Sequence, residues 1–450
     1  MKAKIFGTDG IRGRAGSGWL SVEGAAWIGY AVGSVLGKAH DWPALLGHDG
    51  RRSGPRLEAA LACGLAAAGL RSESAGLIPT PGLAWLTKHQ QYTLGIMVSA
   101  SHNPAGDNGI KVFDHSGDKL PDDVQAEIEA ILHGERPGVD PDALRPEHNP
   151  RLEDSYLGHL ERTWGKGLDL SGLHVMIDCA NGAGSRTGPK VLARLGAQVH
   201  ALADEPDGEN INRDCGSTHP EALQAAVRQN KADCGIALDG DGDRCLMVDE
   251  TGRLVDGDEL LLVLGRQAKQ QGSLPDDRLV ATVMSNRGLH RALRSHGIGV
   301  EEVGVGDRFV VEAMRRQSLA LGGEQSGHVI LGARNDFIGD GMVTALAVLR
   351  VMRETGQSLG QLTAEFESMP QVLLNVPVAS KPDLSSLPGL FDVVREYESV
   401  LGEDGRILLR YSGTENLARV MVEGPDAGVI QRQASDLASR IQEAIGQHVG

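Results

Sequence analysis

Nothing in the chain is long and apolar enough to span a bilayer. The apolar run at 260–264 falls far short of the about 20 residues a membrane helix needs. Positive charge is also short, with 44 Lys+Arg against 60 Asp+Glu, a net −16. That balance argues against a nucleic-acid or anionic-membrane partner. An anionic substrate then requires arginines and lysines gathered locally. Cysteine is scarce: five residues, at 63, 179, 215, 234 and 245, none in a C-x-x-C pair. Several sit in apolar, strand-like runs, so buried, reduced thiols in a cytoplasmic protein are expected. The opening residues 1–6 hold no long apolar core, and no signal peptide is expected.

At 450 residues the chain is too long for one ordinary core, and 41% hydrophobic content supports a folded protein of several domains. Its 60 glycines are roughly twice the usual share of about 7%. They gather in turns between strand and helix, where backbone approaches a ligand or takes positive φ. The first unit reads as a strand at 44–47, a polar turn at 48–54, and a helix from Pro55 through Leu57, Leu61, Leu65 and Ala68 to Gly69. The same grammar returns with a strand at 174–178 and a helix at 189–195. It returns once more with a strand at 279–284 and a helix ending at Gly297. Residues 136–150 read as a linker and 249–252 as a turn. Helical spacing at 361–370 precedes alternation at 372–378, strands at 407–411 and 418–422, and a helix at 427–445. The expected architecture is α/β: three similar α/β domains (1–150, 151–254, 255–370) plus a smaller C-terminal α+β domain (371–450).

Chemistry concentrates after the apolar strand at 94–98, in Val98-Ser99-Ala100-Ser101-His102-Asn103-Pro104. Ser101 falls just beyond the carboxyl end of a strand, where open α/β sheets place ligands. Ser-x-Asn-Pro also serves as an ordinary turn, so these residues alone do not decide. Asp107-Asn108-Gly109-Ile110-Lys111 follows closely. Much later, Asp239, Asp241 and Asp243 stand at alternate positions after the strand at 235–238. Three such carboxylates repel unless a cation holds them, and hard oxygen ligands favour Mg²⁺ over zinc or copper. A calcium loop over 239–250 is the rival, but its sixth position needs glycine and holds Arg244. Asp241 is expected in an exposed cleft, free of core contacts. Arg244 can neutralise charge on a transferring phosphoryl group. A serine, a lysine and three carboxylates suit a metal-assisted phosphoserine.

Residues 98–111, with Phe6-Gly7-Thr8-Asp9-Gly10-Ile11-Arg12-Gly13, resemble the α-D-phosphohexomutases, and five separated motifs run in that family's order. The resemblance implies four domains around a central cleft. It implies phosphate on Ser101 and one Mg²⁺ held by Asp239, Asp241, Asp243 and a Ser101 phosphoryl oxygen. It places Arg12, His102 and Lys111 around the phosphoserine. Lys111, its pKa lowered by neighbouring cations, is the general acid/base, and His328 the competing candidate. Gly322-Gly323-Glu324-Gln325-Ser326-Gly327-His328 resembles the family's sugar loop, with Glu324 and Ser326 on vicinal hydroxyls and Arg308 contributing upstream. Gln325 matches the amino-sugar branch. Arg410, Ser412, Gly413, Thr414 and Arg419 resemble its phosphate cradle, although Asn416 stands where proline is usual. The turn His48-Asp49-Gly50-Arg51 departs from the family pattern and is assigned no catalytic work. The implied reaction interconverts glucosamine 6-phosphate and glucosamine 1-phosphate through a bisphosphate, with a sugar 1,6-bisphosphate as activator and a homodimer permitted. The alternatives are mannose or glucose phosphates as substrates, a phosphatase using the same serine, and a non-catalytic calcium or sugar-phosphate binder.

Overall fold

The computed structural model describes residues 4–7, 9–412 and 416–446. It divides into two compact units, Met1–Met284 with Val300–Ala364, and Ser285–Gly299 with Glu365–Gly450.

In the first unit, β1 (Ile11–Arg14), β2 (Ala44–His48), β3 (Ser72–Leu77), β4 (Leu94–Val98), β5 (Asp107–Asp114) and β6 (Glu147–His148) form one sheet, in the order β1-β5-β4-β2-β3-β6. The inner β2 and β4 run parallel, while β5 lies antiparallel to both β4 and β1. The all-apolar β4 is buried along its whole length, as a strand covered on both faces must be. Helix Gly54–Ala67 starts on Pro55, whose missing N–H costs nothing in a first turn. The expected linker at 136–150 also carries β6, which adds a short parallel edge beside β3.

A second sheet, β11-β10-β9-β7-β8, is built from β7 (His174–Asp178), β8 (Gln198–Leu202), β9 (Cys234–Leu238), β10 (Cys245–Val248) and β11 (Leu254–Val255). The third contains β12 (Arg278–Thr282), β13 (Gly299–Val303), β14 (Gly322–Gly323) and β15 (Val329–Ile330), in the order β13-β12-β14-β15. All three sheets mix parallel and antiparallel pairs.

In the second unit, β16 (Gln371–Pro377), β17 (Arg406–Tyr411) and β18 (Leu417–Glu423) make an antiparallel sheet, β16-β18-β17. Its core packs Val376, Val420 and Val422 with Leu437 and Ile441 of the helix Ala427–Ile445. The helix Arg287–Ser295 belongs to this unit. Glu423 accepts the Arg287 N–H at 2.6 Å and the Arg406 Nε–H at 2.8 Å. The helical spacing at 361–370 is only partly realised, because the helix Leu359–Thr363 stops early. The backbone of Met369 is instead paired on both sides with the Asn286 side chain, at 2.8 and 3.1 Å.

No helix among the described residues is long and apolar enough to cross a membrane. All five cysteines are free and buried. Burial pushes the Cys215 and Cys234 thiols up to about 11 and 12.

Candidate active site

Beyond β4 the chain turns at once, and Ser101 takes a φ of 52°, in the left-handed region. A non-glycine residue stays there only if its surroundings enforce it. Arg51, fully buried, does much of this. Its guanidinium donates to the carbonyl oxygens of Ser101 (2.9 Å), Asn103 (2.8 Å), Asp107 (3.1 Å) and Pro104, and its Nε donates to Asp49 (2.9 Å). Asp49 accepts the Ser99 hydroxyl at 2.6 Å, and Ser99 Oγ accepts the Ser101 N–H at 2.8 Å. From the second sheet's loops, Asn212 donates to the Ser101 and Asn103 carbonyls at 2.9 and 3.1 Å. The turn at 48–51, given no catalytic role from sequence, is the frame that holds this loop.

The loop after β9 meets Ser101 directly. The Ser101 hydroxyl donates to Asp239 Oδ2 at 2.6 Å. Close approach requires glycine at 240, since a Cβ there would lie 2.6 Å from the Ser101 carbonyl oxygen. One carboxylate oxygen from each of Asp239, Asp241 and Asp243 lies within 4.8 Å of the other two. Asp241 is fully buried, contrary to the exposed cleft expected of it. It accepts hydrogen bonds from Thr80 and from Lys111 (2.8 Å) and sits at the N-terminal end of the helix Thr80–His89. Burial, then the charges of Asp243 and Asp241, push the Asp239 carboxyl well up. Burial also works on Asp243, but Lys111, His328 and Arg244 outweigh it and hold that group ionised. Asp241 Oδ1 and Asp243 Oδ1 are buried without a hydrogen-bond donor. Crowded hard oxygens with two orphaned lone-pair sites fit a bound Mg²⁺.

Cations surround this cluster. Lys111 Nζ lies 2.8 Å from Asp241, 3.4 Å from Asp243 and 3.1 Å from Asp9. The expected lowering of its pKa is not found. Burial alone would push it down, but these three carboxylates outweigh that and raise it well above the ordinary value. Asp9 also pairs with Arg12 and with Lys119, which reaches Asp307 at 2.6 Å. His328 lies 3.7 Å from both Asp243 and Asp307. Despite burial, those carboxylates raise its pKa to about 9. His102 behaves oppositely: burial, then Arg244 and Arg12, lower it to about 4. Its neutral ring sits 3.3 Å from the Ser101 hydroxyl. The Arg244 N–H donates to Asp239 at 3.2 Å, and its guanidinium lies 4.0 Å from Asp243.

Ser101, His102, Lys111, Arg12, Arg244, His328 and the three aspartates thus converge. In the loop at 322–328, Glu324 accepts the Gly306 N–H at 3.1 Å, and Ser326 Oγ is 3.5 Å from the same carboxylate. Gln325 reaches away to Asp256 at 3.1 Å. Arg308 pairs with Asp122 (2.7 Å) and Glu312 (2.8 Å), not with the cluster around Ser101. In the second unit, Arg410 and Arg419 are direct cross-strand partners, and the Ser412 carbonyl accepts from Lys381 at 2.7 Å. Burial and Arg419 together lower the Arg410 pKa. Gly413 and Thr414 lie outside the described residues.

Sequence reasoning gave no role to Asp9, Arg51, Thr80, Lys119 or Asn212. Only Asp9 carried a local signal, as an acid three positions before Arg12 in a glycine-rich stretch.

Four matched regions cover nearly the whole chain. They are the phosphoglucomutase/phosphomannomutase alpha/beta/alpha domains I (3–138), II (154–252) and III (256–369) and the C-terminal domain (373–440). The chain belongs to the phosphoglucomutase/phosphomannomutase family. Within it, the chain is 46% identical to a phosphoglucosamine mutase of Symbiobacterium thermophilum, over 98% of this chain and 99% of that one. It is 45% identical to a phosphoglucosamine mutase of Chlamydia trachomatis, over 100% of this chain and 98% of that one. A crystal structure of a phosphoglucomutase/phosphomannomutase family protein from Burkholderia thailandensis superposes with a TM-score of 0.80 at 25% identity, covering 98% and 97% of the two chains.

Proposed function

We propose that this enzyme interconverts glucosamine 6-phosphate and glucosamine 1-phosphate, with phosphorylated Ser101 as donor and acceptor. The observation that carries the reading is the Ser101 hydroxyl 2.6 Å from Asp239, inside a triad of buried aspartates. In the forward half, the bond from phosphorus to Ser101 Oγ breaks, one from phosphorus to the sugar oxygen forms, and the proton of the sugar hydroxyl ends on Oγ. The bisphosphate turns, and its other phosphate returns to Ser101. Asp239, Asp241 and Asp243 would hold Mg²⁺, which neutralises phosphoryl charge when bound. Arg244 and Arg12 add fixed positive charge. His102, neutral and 3.3 Å from Ser101 Oγ, can relay a proton there, and Lys111, held charged by its carboxylates, adds fixed positive charge beside the triad. Glu324 and Ser326 offer an acceptor and a donor-acceptor for the sugar. Arg410, Ser412 and Arg419 carry the chemistry to bind a phosphate. Five free, buried cysteines support a cytoplasmic location.

The amino-sugar assignment is supported by the phosphoglucosamine mutases matched over full length. The test is isomerisation of a panel of hexose and hexosamine 6-phosphates by protein whose Ser101 phosphate is verified by peptide mass. A kcat/KM at least tenfold higher for glucosamine 6-phosphate is expected. Equal or better rates on mannose 6-phosphate would overturn the sugar, and full turnover by Ser101→Ala would overturn the mechanism. Phosphate-free enzyme should be nearly inactive until a catalytic amount of glucose or glucosamine 1,6-bisphosphate is added. Free phosphate accumulating in step with substrate loss would instead indicate a phosphatase.

A further inference from the structure

A cavity of about 350 Å³ adjoins the acidic triad, between the helix Thr80–His89, the hairpin after β5 and the helix Asp307–Gln317. Its wall includes Lys119, Asp307, Asp243 and His328, so it reaches two groups of the phosphoryl site. Ser101, Lys111, Asp9 and Asp241 are not part of that wall. One side chain ties the two regions together. Lys119 Nζ pairs with Asp307 Oδ2 at 2.6 Å and with Asp9 Oδ1, and Asp9 uses Oδ2 for Lys111 at 3.1 Å. Along this path the Lys119 and Asp9 side chains are 25% and 27% exposed, and exposure then drops to 2% for Lys111 and 0% for Asp241. Asp307 carries the link onward to His328 at 3.7 Å.

A space of this size has room for several waters, each needing about 30 Å³ of liquid volume. A mutase holding a phosphoserine must keep such water from phosphorus while its intermediate turns. We propose that Lys119 is a positioning residue that closes this cavity off from Ser101, so that the phosphoserine meets a sugar hydroxyl and not water. The inference rests on the reading of Ser101 as the phosphoserine above. The reaction held back is hydrolysis. A water oxygen bonds to phosphorus, the bond to Ser101 Oγ breaks, one water proton goes to Oγ and the other stays on the released phosphate. The lysine contributes both by filling the wall with its stem and by drawing Asp9 and Asp307 together through its charge.

The decisive measurement is the lifetime of the phosphoserine, followed by intact mass in Mg²⁺ without any sugar. Wild type, Lys119→Ala, Lys119→Met and Lys119→Arg are compared, with circular dichroism confirming that each is folded. Lys119→Ala should lose its phosphate at least tenfold faster than wild type, and Lys119→Arg within about twofold of wild type. Given sugar phosphate, the ratio of inorganic phosphate released to isomer formed should rise tenfold or more in Lys119→Ala. Glu312→Ala, on the same wall without contact to Asp9, should leave the lifetime unchanged. Lys119→Met decides the matter if the alanine variant does not fold. A wild-type lifetime in a folded Lys119→Ala or Lys119→Met, or an equal acceleration in Glu312→Ala, would overturn the proposal. Because no sugar is present, failure of the glucosamine assignment leaves this comparison intact.

Discussion

The Arg51 guanidinium and the Ser101 carbonyl oxygen lie 2.9 Å apart, with both residues almost wholly buried. Arg51 is a common donor to four carbonyl oxygens of this loop, and it pairs with Asp49 in the same act. Replacing it with methionine leaves the buried Asp49 carboxylate without its guanidinium and takes one donor from each of four carbonyl oxygens, two of which keep Asn212. Removing one partner of a buried ion pair costs about 3–5 kcal/mol, so urea unfolding of Arg51→Met should show a loss of that order. Arg51→Lys, a point charge where a planar fork is needed, should fold but accept phosphate on Ser101 far more slowly, about 100-fold on the scale of a lost positioning contact. Normal phosphorylation kinetics in Arg51→Lys would show that the loop keeps its shape without this fork.

Asp241→Asn should be costly in two ways. Turnover should fall by at least 100-fold at saturating Mg²⁺, as expected when a charge acting on the transferring group is lost. Stability should fall as well, because Lys111 is buried and Asp241 is its nearest carboxylate at 2.8 Å. Thermal unfolding and steady-state rates on the same preparation separate the two effects. Full activity in the variant would remove Asp241 from the site.

Mg²⁺ should stabilise the folded protein, since it relieves repulsion among three aspartates that the fold holds buried in one cluster. At 100 times its dissociation constant, binding is worth about 2.7 kcal/mol. The melting temperature should rise with Mg²⁺, fall back with chelator, and respond much less in Asp239→Asn. A melting temperature indifferent to Mg²⁺ would argue against a metal site on the triad.

Glu58 gives a pH prediction remote from the phosphoryl chemistry. Burial raises its pKa from 4.5 to about 7, and its Oε1 has no hydrogen-bond donor. Between those values the folded state binds the extra proton. Its contribution to stability therefore falls as pH rises from about 4.5 to 7, and is level above that. The full effect is about 3 kcal/mol at 1.36 kcal/mol per unit. Glu58→Gln should be more stable than wild type at pH 8, nearly equal to it at pH 4.5, and show a flatter profile between. Equal stabilities of the two proteins at pH 8 would show that Glu58 is ionised in the fold at no cost.

The elements were legible wherever one short stretch carries the whole signal. The strand before Ser101 is a run of five apolar residues, and the aspartate triplet follows another, so both loops could be placed at strand ends. Repulsion among neighbouring acids also pointed to a cation without any knowledge of contacts. Longer-range partners left no such trace. Arg51 reaches Ser101 across 50 positions and Asn212 across 111, and neither stands in a pattern distinct from an ordinary turn. Lys111 was misjudged for the same reason. The family resemblance sets Arg12 and His102 near it as cations, while the carboxylates that raise its pKa come from residues 9, 241 and 243. The helical spacing at 361–370 is realised only to Thr363, and Met369 is instead held by Asn286, an interaction between segments 83 positions apart.

On the proposed mechanism, the left-handed backbone at Ser101 limits which side chain can carry the phosphate. Threonine has the same hydroxyl and is phosphorylated by the same chemistry, but its branched Cβ is disfavoured at positive φ. Evolution toward a phosphothreonine enzyme would therefore require rebuilding the Arg51–Asp49–Ser99 frame as well as changing one codon. Within this fold the phosphate carrier and the turn that displays it are inherited together.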